Sequence, residues 1–447
     1  MHNSVLARFL LSLPVFFVLS VQANEPGLSH EKYTLKNGME VILQPDPLNA
    51  FVAVSVWYHV GAINEIVGKT GFAHLFEHLM FEGSKNVGPN HFKYLEEAGK
   101  TFLNGSTSFD RTNYVEVLPA YQLPLALWLE SDRMGFLLDT MTQAMLDKQR
   151  GVVKNERRQN YENREYGMVT EKAWHQLLPP SHPYYGMVIG SMADLDAASL
   201  EDVKAFFKTY YTPSNATLTL VGGFDVGTAK ELIEHYFANL ASRPKPQKLM
   251  LSPVELKEDK VLHETEEYGK LAMVQLQYIS PPLFAPGDAE LDILSSVLTG
   301  DRSSLLTKAL QFDEQLVQSV SASQQSMGAL SVFTISALVT PGVKAEVVLQ
   351  KIKDLIAQIK KTPPDRTTIV KAQNLLKTQK LLSLEKIGGF SGRAEILQSY
   401  NHYSGTPDYL TQDMARYAQV SPEDIQAAAI RYLDKSVTLI AEPKASK

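Results

Sequence analysis

Three residues in one short stretch, His74, Glu77 and His78, have the types and spacing of a metal centre. They read His-x-x-Glu-His within Gly71-Phe-Ala-His-Leu-Phe-Glu-His-Leu-Met80. On a helix, residues four apart stand one turn above each other, so both imidazoles project from one face and can bind a single zinc ion. Glu77 lies three residues after His74 on the same side, where its carboxylate can reach a water at the metal. The plainer alternative is a polar helix face with two unrelated histidines. The chain has no cysteine, so zinc would have to be held by His, Glu or Asp, and no disulfide braces the fold.

The neighbouring elements must position that stretch. The helix itself is expected over about 71–81, stopping near Gly83. Residues 32–44 read as a hairpin around Lys36-Asn37-Gly38. Residues 51–60 read as a strand, with Val52, Val54, Val56, Tyr58 and Val60 on one face. After the helix come a short helix over 90–98 and a Thr-, Tyr- and Val-containing but polar stretch over 101–117. That stretch fits an edge strand beside a cleft, to which a peptide could add as a further strand. An ordinary solvated edge strand fits it equally well. Helices follow over 123–140 and 142–163. The second carries Arg150-Gly-Val-Val-Lys-Asn-Glu156, where Glu156 by itself reads as a surface carboxylate. A helix over 200–210, a strand over 217–221 and a helix over 226–240 lead to the proline-rich, charged segment Ser242-Arg-Pro-Lys-Pro-Gln247, the best domain boundary in the chain.

The pattern then returns about 220 residues on. Phe51-Val-Ala-Val-Ser-Val-Trp57 is echoed by Ala272-Met-Val-Gln-Leu-Gln-Tyr278, and Ser199-Leu-Glu-Asp-Val203 by Ser421-Pro-Glu-Asp-Ile425. Each of the latter pair opens a helix and leads to a strand. The expected class is α+β, with two homologous domains at 29–242 and 256–447 joined by a linker at 243–255. Each would be a mostly antiparallel sheet with helices packed on it. The second copy has no histidine over 291–298, where the metal helix should recur, so one half carries the metal site.

The 447 residues carry a net charge of −6 and no basic run, which argues against a nucleic-acid partner. Residues 1–23 read as a signal peptide, with Arg8 as the basic end, an apolar run from Phe9 to Val21, and Val21-Gln22-Ala23 as the cleavage site. The expected location is therefore the periplasm, with an uncleaved membrane anchor as the alternative.

The His-x-x-Glu-His order is the inverse of the commoner zincin motif and marks the inverzincins. Over roughly residues 30–444 the chain resembles the pitrilysin/insulinase family of zinc peptidases, in particular its short, two-domain bacterial members. The resemblance implies a third ligand, a glutamate some 70–80 residues after the second histidine, in a helix with an Arg-Gly-Val-x-x-x-Glu pattern. Arg150-Gly151-Val152 places it at Glu156. It also implies one Zn2+ per chain, Glu77 as the catalytic base, and Asn104 and Thr107 as substrate-binding residues on an edge strand. His182-Pro183-Tyr184 matches a further family segment and reads as structural.

Two departures stand out. Many members have a second glutamate seven residues before the third ligand; here it is Gln149, which cannot serve as a carboxylate. Active members usually carry an Arg and a Tyr in the second domain, and here those positions are Leu305 and Gln318. The chain thus resembles the zinc-bearing subunit of a pair in which a paralogue supplies the Arg and Tyr. The implied activity is endopeptidase cleavage of peptides or unfolded polypeptides inside a chamber of four such domains. The implied partners are a peptide substrate and a second chain, as a dimer or a heterodimer. The alternative is a non-catalytic binding or assembly subunit of such a complex.

Overall fold

Strand β3 (Phe51–Tyr58) shows why the first half folds around a sheet. Its valines and aromatics are buried on both faces from Val52 to Tyr58, which only an inner strand permits. Each fully buried side chain of this kind contributes about 1.5–3 kcal/mol. In the computed structural model, which describes residues 28–445 except 90 and 250, β3 sits inside a six-stranded sheet. The others are β1 (Glu31–Thr34), β2 (Glu40–Pro45), β4 (Phe102–Thr107), β5 (Thr112–Pro119) and β6 (Ala216–Gly222), in the order β1-β2-β6-β3-β5-β4. The expected signal segment lies outside the described residues.

The second sheet holds β7 (Lys260–Glu266), β8 (Met273–Ser280), β9 (Val317–Gln325), β10 (Ser331–Val339) and β11 (Val437–Pro443), in the order β7-β11-β8-β10-β9. Without β1, the two orders coincide strand for strand. The parallel pair also recurs, as β2 with β6 and β7 with β11, among otherwise antiparallel neighbours. The helices at Leu200–Tyr210 and Pro422–Tyr432 begin alike. Ser199 and Ser421 each accept a 3.1 Å hydrogen bond from the amide of Asp202 or Asp424, whose carboxylate accepts from the serine amide in return. The internal repeat is thus one α+β domain used twice. Among the described residues there is no helix or strand between 238 and 259.

The two halves interlock through exchanged helices. Helix Arg393–Ser404, from the second half of the chain, packs on β3 and β6 of the first sheet. Its buried Glu395 accepts hydrogen bonds from Ser55, from Trp57 Nε1 at 2.9 Å and from Asn113 Nδ2 at 2.6 Å. Gln398 donates to the carbonyls of Ser55 and Thr217. In return, helix Gly167–Leu177 of the first half packs on β7, β8 and β11. Among the described residues no helix is long and apolar enough to cross a membrane.

Two expectations from the sequence are refined. The polar stretch over 101–117 is a hairpin, not one strand: Ser108 Oγ accepts from the amides of Asp110 and Arg111 and turns the chain there. Of its two strands β4 lies at the sheet edge, while β5 lies inside the sheet. The helix expected over 142–163 is α-helical over Gln143–Arg157 and widens to a π-turn over Arg158–Glu162.

Candidate metal centre

Helix Phe72–Leu79 turns Phe72, Leu75, Phe76 and Leu79 into the core, which leaves His74, Glu77 and His78 on the opposite side. It starts at Gly71, whose φ of +86° suits glycine; a side chain there would also come within 2.8 Å of Gly190 Cα. The Glu65 carboxylate accepts from the amides of Gly71 at 3.0 Å and Ala73 at 2.8 Å, satisfying two of the N–H groups that a helix start leaves free.

The helix Gln143–Arg157 lies across the His74 helix and brings Glu156 to both histidines. Glu156 Oε2 is 3.6 Å from His74 Nε2 and 3.3 Å from His78 Nε2, and the two Nε2 atoms are 3.3 Å apart. A tetrahedral zinc with bonds of ~2.0–2.1 Å has ligand–ligand edges of ~3.3–3.4 Å. Two imidazole nitrogens and a carboxylate oxygen at these separations fit that ion. Burial, then the neighbouring His78, pull the His74 pKa down to about 4, which leaves its lone pair free for a ligand bond. Burial also opposes charge on His78, but its contacts with Glu156 and Glu77 outweigh that and raise its pKa. The hydrogen bond from His78 holds Glu156 below the usual carboxylate range.

Glu77 is buried beside this trio. Desolvation raises its pKa, and a 2.6 Å hydrogen bond from Thr107 Oγ1 to its Oε2 works the other way. Strand β4 can lie this close because Gly105 has no side chain: a Cβ there would be 3.0 Å from both Glu77 Cγ and Oε1. Asn104 faces the same cleft, its Oδ1 accepting from the Gly105 amide at 2.9 Å. The cleft encloses about 1150 Å3. The segment from Asn160 to Tyr166, which begins inside the π-turn, also lines it, and Tyr166 OH anchors that segment to the Leu271 carbonyl of the second half.

The structure therefore brings together His74, Glu77, His78, Asn104, Thr107 and Glu156. Gln149 also lines the cleft; it donates to Glu82 Oε1 and hydrogen-bonds His78. Leu305 and Gln318 do not line it. Leu305 packs on the second core, and Gln318 is exposed on β9. His182 is buried and accepts from the Tyr184 amide, a structural contact. Sequence reasoning missed Glu65 and Arg157. Arg157 bonds Glu171 at 2.9 Å and the Gly190 carbonyl at 2.9 Å, holding the helix that presents Glu156. Gly105 did carry a signal, since a glycine inside a strand marks a close approach. A second grouping, His91, Glu116 and Glu130, is fully buried. There Arg133 takes both Glu130 oxygens, so a cation already occupies that cluster.

A duplicated α+β chain with a His, His, Glu trio in one half defines a class of zinc-protease-like proteins. Two family models match this chain: insulinase (peptidase family M16) over residues 40–178 and the peptidase M16 inactive domain over residues 197–376. The zinc protease PqqE of Helicobacter pylori is 30% identical over 416 residues, 90% of this chain and 92% of that one. The crystal structure of a protease from Helicobacter pylori superposes with a TM-score of 0.84 at 29% identity, covering 94% of this chain and all of that one. The periplasmic protease PqqL from Escherichia coli matches in fold, with a TM-score of 0.76 at 17% identity over 93% of this chain and 48% of its own. The chain belongs to the M16, or insulinase, family of peptidases.

Proposed function

We propose that the chain is a zinc-dependent endopeptidase acting on extended peptides or unfolded polypeptides. The observation that carries this reading is the His74, His78, Glu156 trio at 3.3–3.6 Å, with the Glu77 carboxylate next to it and tied to the cleft-edge strand. His74, His78 and Glu156 would hold the ion. When bound, zinc acts as a Lewis acid that polarises a carbonyl and acidifies water. Glu77 takes the proton from the attacking water and returns it to the leaving nitrogen, and its raised pKa suits both roles. Strand β4 offers unpaired backbone groups to an extended substrate, with Asn104 and Thr107 flanking the reacting bond.

The working unit we propose is a dimer that closes a chamber around the cleft. Leu305 and Gln318 favour a heterodimer in which a paralogue supplies an Arg and a Tyr. The segment 1–23 and the periplasmic PqqL relative favour export to the periplasm. The second reading is a non-catalytic assembly subunit, favoured by the match of the second half to an inactive-domain model. Hydrolysis of a quenched, unstructured peptide library by the purified mature chain, with zinc assayed in the same sample, separates these readings. Zinc-dependent cleavage supports the peptidase. Zinc bound without cleavage, alone and with a paralogue carrying the Arg and Tyr, supports the assembly subunit.

A further inference from the structure

We propose that Glu65 is a positioning residue that sets the metal helix in register with the strand bearing Thr107, an inference that rests on the zinc-peptidase reading above. Its two carboxylate oxygens accept from Gly71 N and Ala73 N, the residues just before His74. Its own backbone is fixed at the other end of the site. Residues Ala62–Asn64 form one helical turn, and Glu65 N donates to the Ala62 carbonyl at 3.1 Å. That turn is pinned to the β4–β5 hairpin, with Ala62 N donating to Ser108 O at 3.1 Å and Ile63 N to Phe109 O at 2.8 Å. Gly61 lies so close that a Cβ would come within 2.5 Å of both carbonyls.

These contacts close a ring. From Thr107 the path runs through the hairpin turn to Ala62, through Glu65 to the start of the metal helix, and along that helix to Glu77, which returns to Thr107. Two of its links pass through the Glu65 side chain. His74 lies in the first helical turn, the turn whose amides Glu65 accepts, while His78 lies in the last turn of this eight-residue helix. Loss of Glu65 frees the first turn, so that His74 moves relative to His78 and Glu156. Glu65 does not line the cleft, so it acts through His74 and never touches substrate.

The test compares the full-length mature chain with Glu65→Gln and Glu65→Asp. Glutamine keeps the size but has one acceptor and turns an N–H2 toward a backbone N–H; aspartate keeps both acceptors on a shorter arm. Zinc affinity is read by competition with a chromophoric chelator, and kcat and KM on a quenched peptide at saturating zinc. Glu65→Gln should weaken zinc binding by about 10–100-fold, the usual effect of removing a group that orients a ligand. It should lower kcat with KM within twofold, and Glu65→Asp should recover part of both. A residue that only stabilised the fold would lower the melting temperature and leave zinc affinity unchanged, and that result overturns the proposal. Should Glu65→Gln fail to fold, zinc affinity of Glu65→Asp within twofold of wild type overturns it as well. A wild-type chain that binds no zinc overturns the peptidase reading and this inference together, whereas unaltered zinc binding in the variants overturns this inference alone.

Discussion

Thr107 Oγ1 donates a 2.6 Å hydrogen bond to Glu77 Oε2, so the proposed base is tied to the proposed peptide-binding strand. On the proposed reading, a segment adding to β4 would lie beside the Glu77 carboxylate. Proximity of this kind can supply several kcal/mol of a reaction barrier.

Glu77→Gln tests the base directly. The amide is isosteric and neutral and cannot take a proton. Because Glu77 is not one of the three closely spaced donors, zinc content should stay at about one per chain while kcat falls by about 10²–10⁴-fold. Peptide cleavage at the wild-type rate would remove Glu77 from the mechanism.

Thr107→Val removes the hydroxyl and keeps the shape. Glu77 then loses its hydrogen-bond donor, and its carboxylate is freed to swing. A loss of about tenfold in kcat/KM is expected, with Thr107→Ser recovering most of it. Equal activity in the valine and serine variants would show that the hydrogen bond does not matter for turnover.

Gly105→Ala puts a methyl group 3.0 Å from Glu77 Cγ and Oε1. The side chain must yield, and displacements approaching 1 Å in a catalytic group cost up to about 10²-fold in rate. The variant should keep its zinc and melt within a few degrees of wild type while kcat drops by about 10–100-fold. Unchanged kcat would mean that Glu77 has room the structure does not suggest.

Much of this was legible in the sequence, for identifiable reasons. His74 and His78 are four residues apart, so a local helix suffices to bring them together. The domain repeat was visible because its helix caps and strand valines are local patterns. Glu156 is some eighty residues away and drew its role from the family pattern. The roles of Glu65 and Arg157 depend on tertiary contacts with Gly71, Ala73, Gly190 and Glu171, which no spacing encodes. The single strand expected over 101–117 failed at Ser108, whose hydroxyl bonds to the backbone make a turn from residues that otherwise look extended.

Acid should loosen the contact between the two halves at a pair of histidines. His59 Nδ1, at the end of β3, is 2.7 Å from His402 Nδ1 on helix Arg393–Ser404, and the rings stack 4.9 Å apart. Only a neutral ring can accept in that contact. Burial, then the charges of Lys245 and Lys32, lower the His59 pKa to about 3; burial, then the charge of His59 itself, also lower that of His402. An unfolded histidine titrates near ~6.5, so below that pH the unfolded chain binds protons that the folded chain refuses. The stabilisation is complete above ~6.5 and is lost as pH falls toward 3. Between pH 7 and pH 5 the His59 shift amounts to about 1–2 kcal/mol. Thermal melts at these two pH values should show a larger drop for wild type than for His402→Gln, in which one of the two titrating rings is gone. Parallel pH dependence in the two proteins would show that this pair does not govern acid stability.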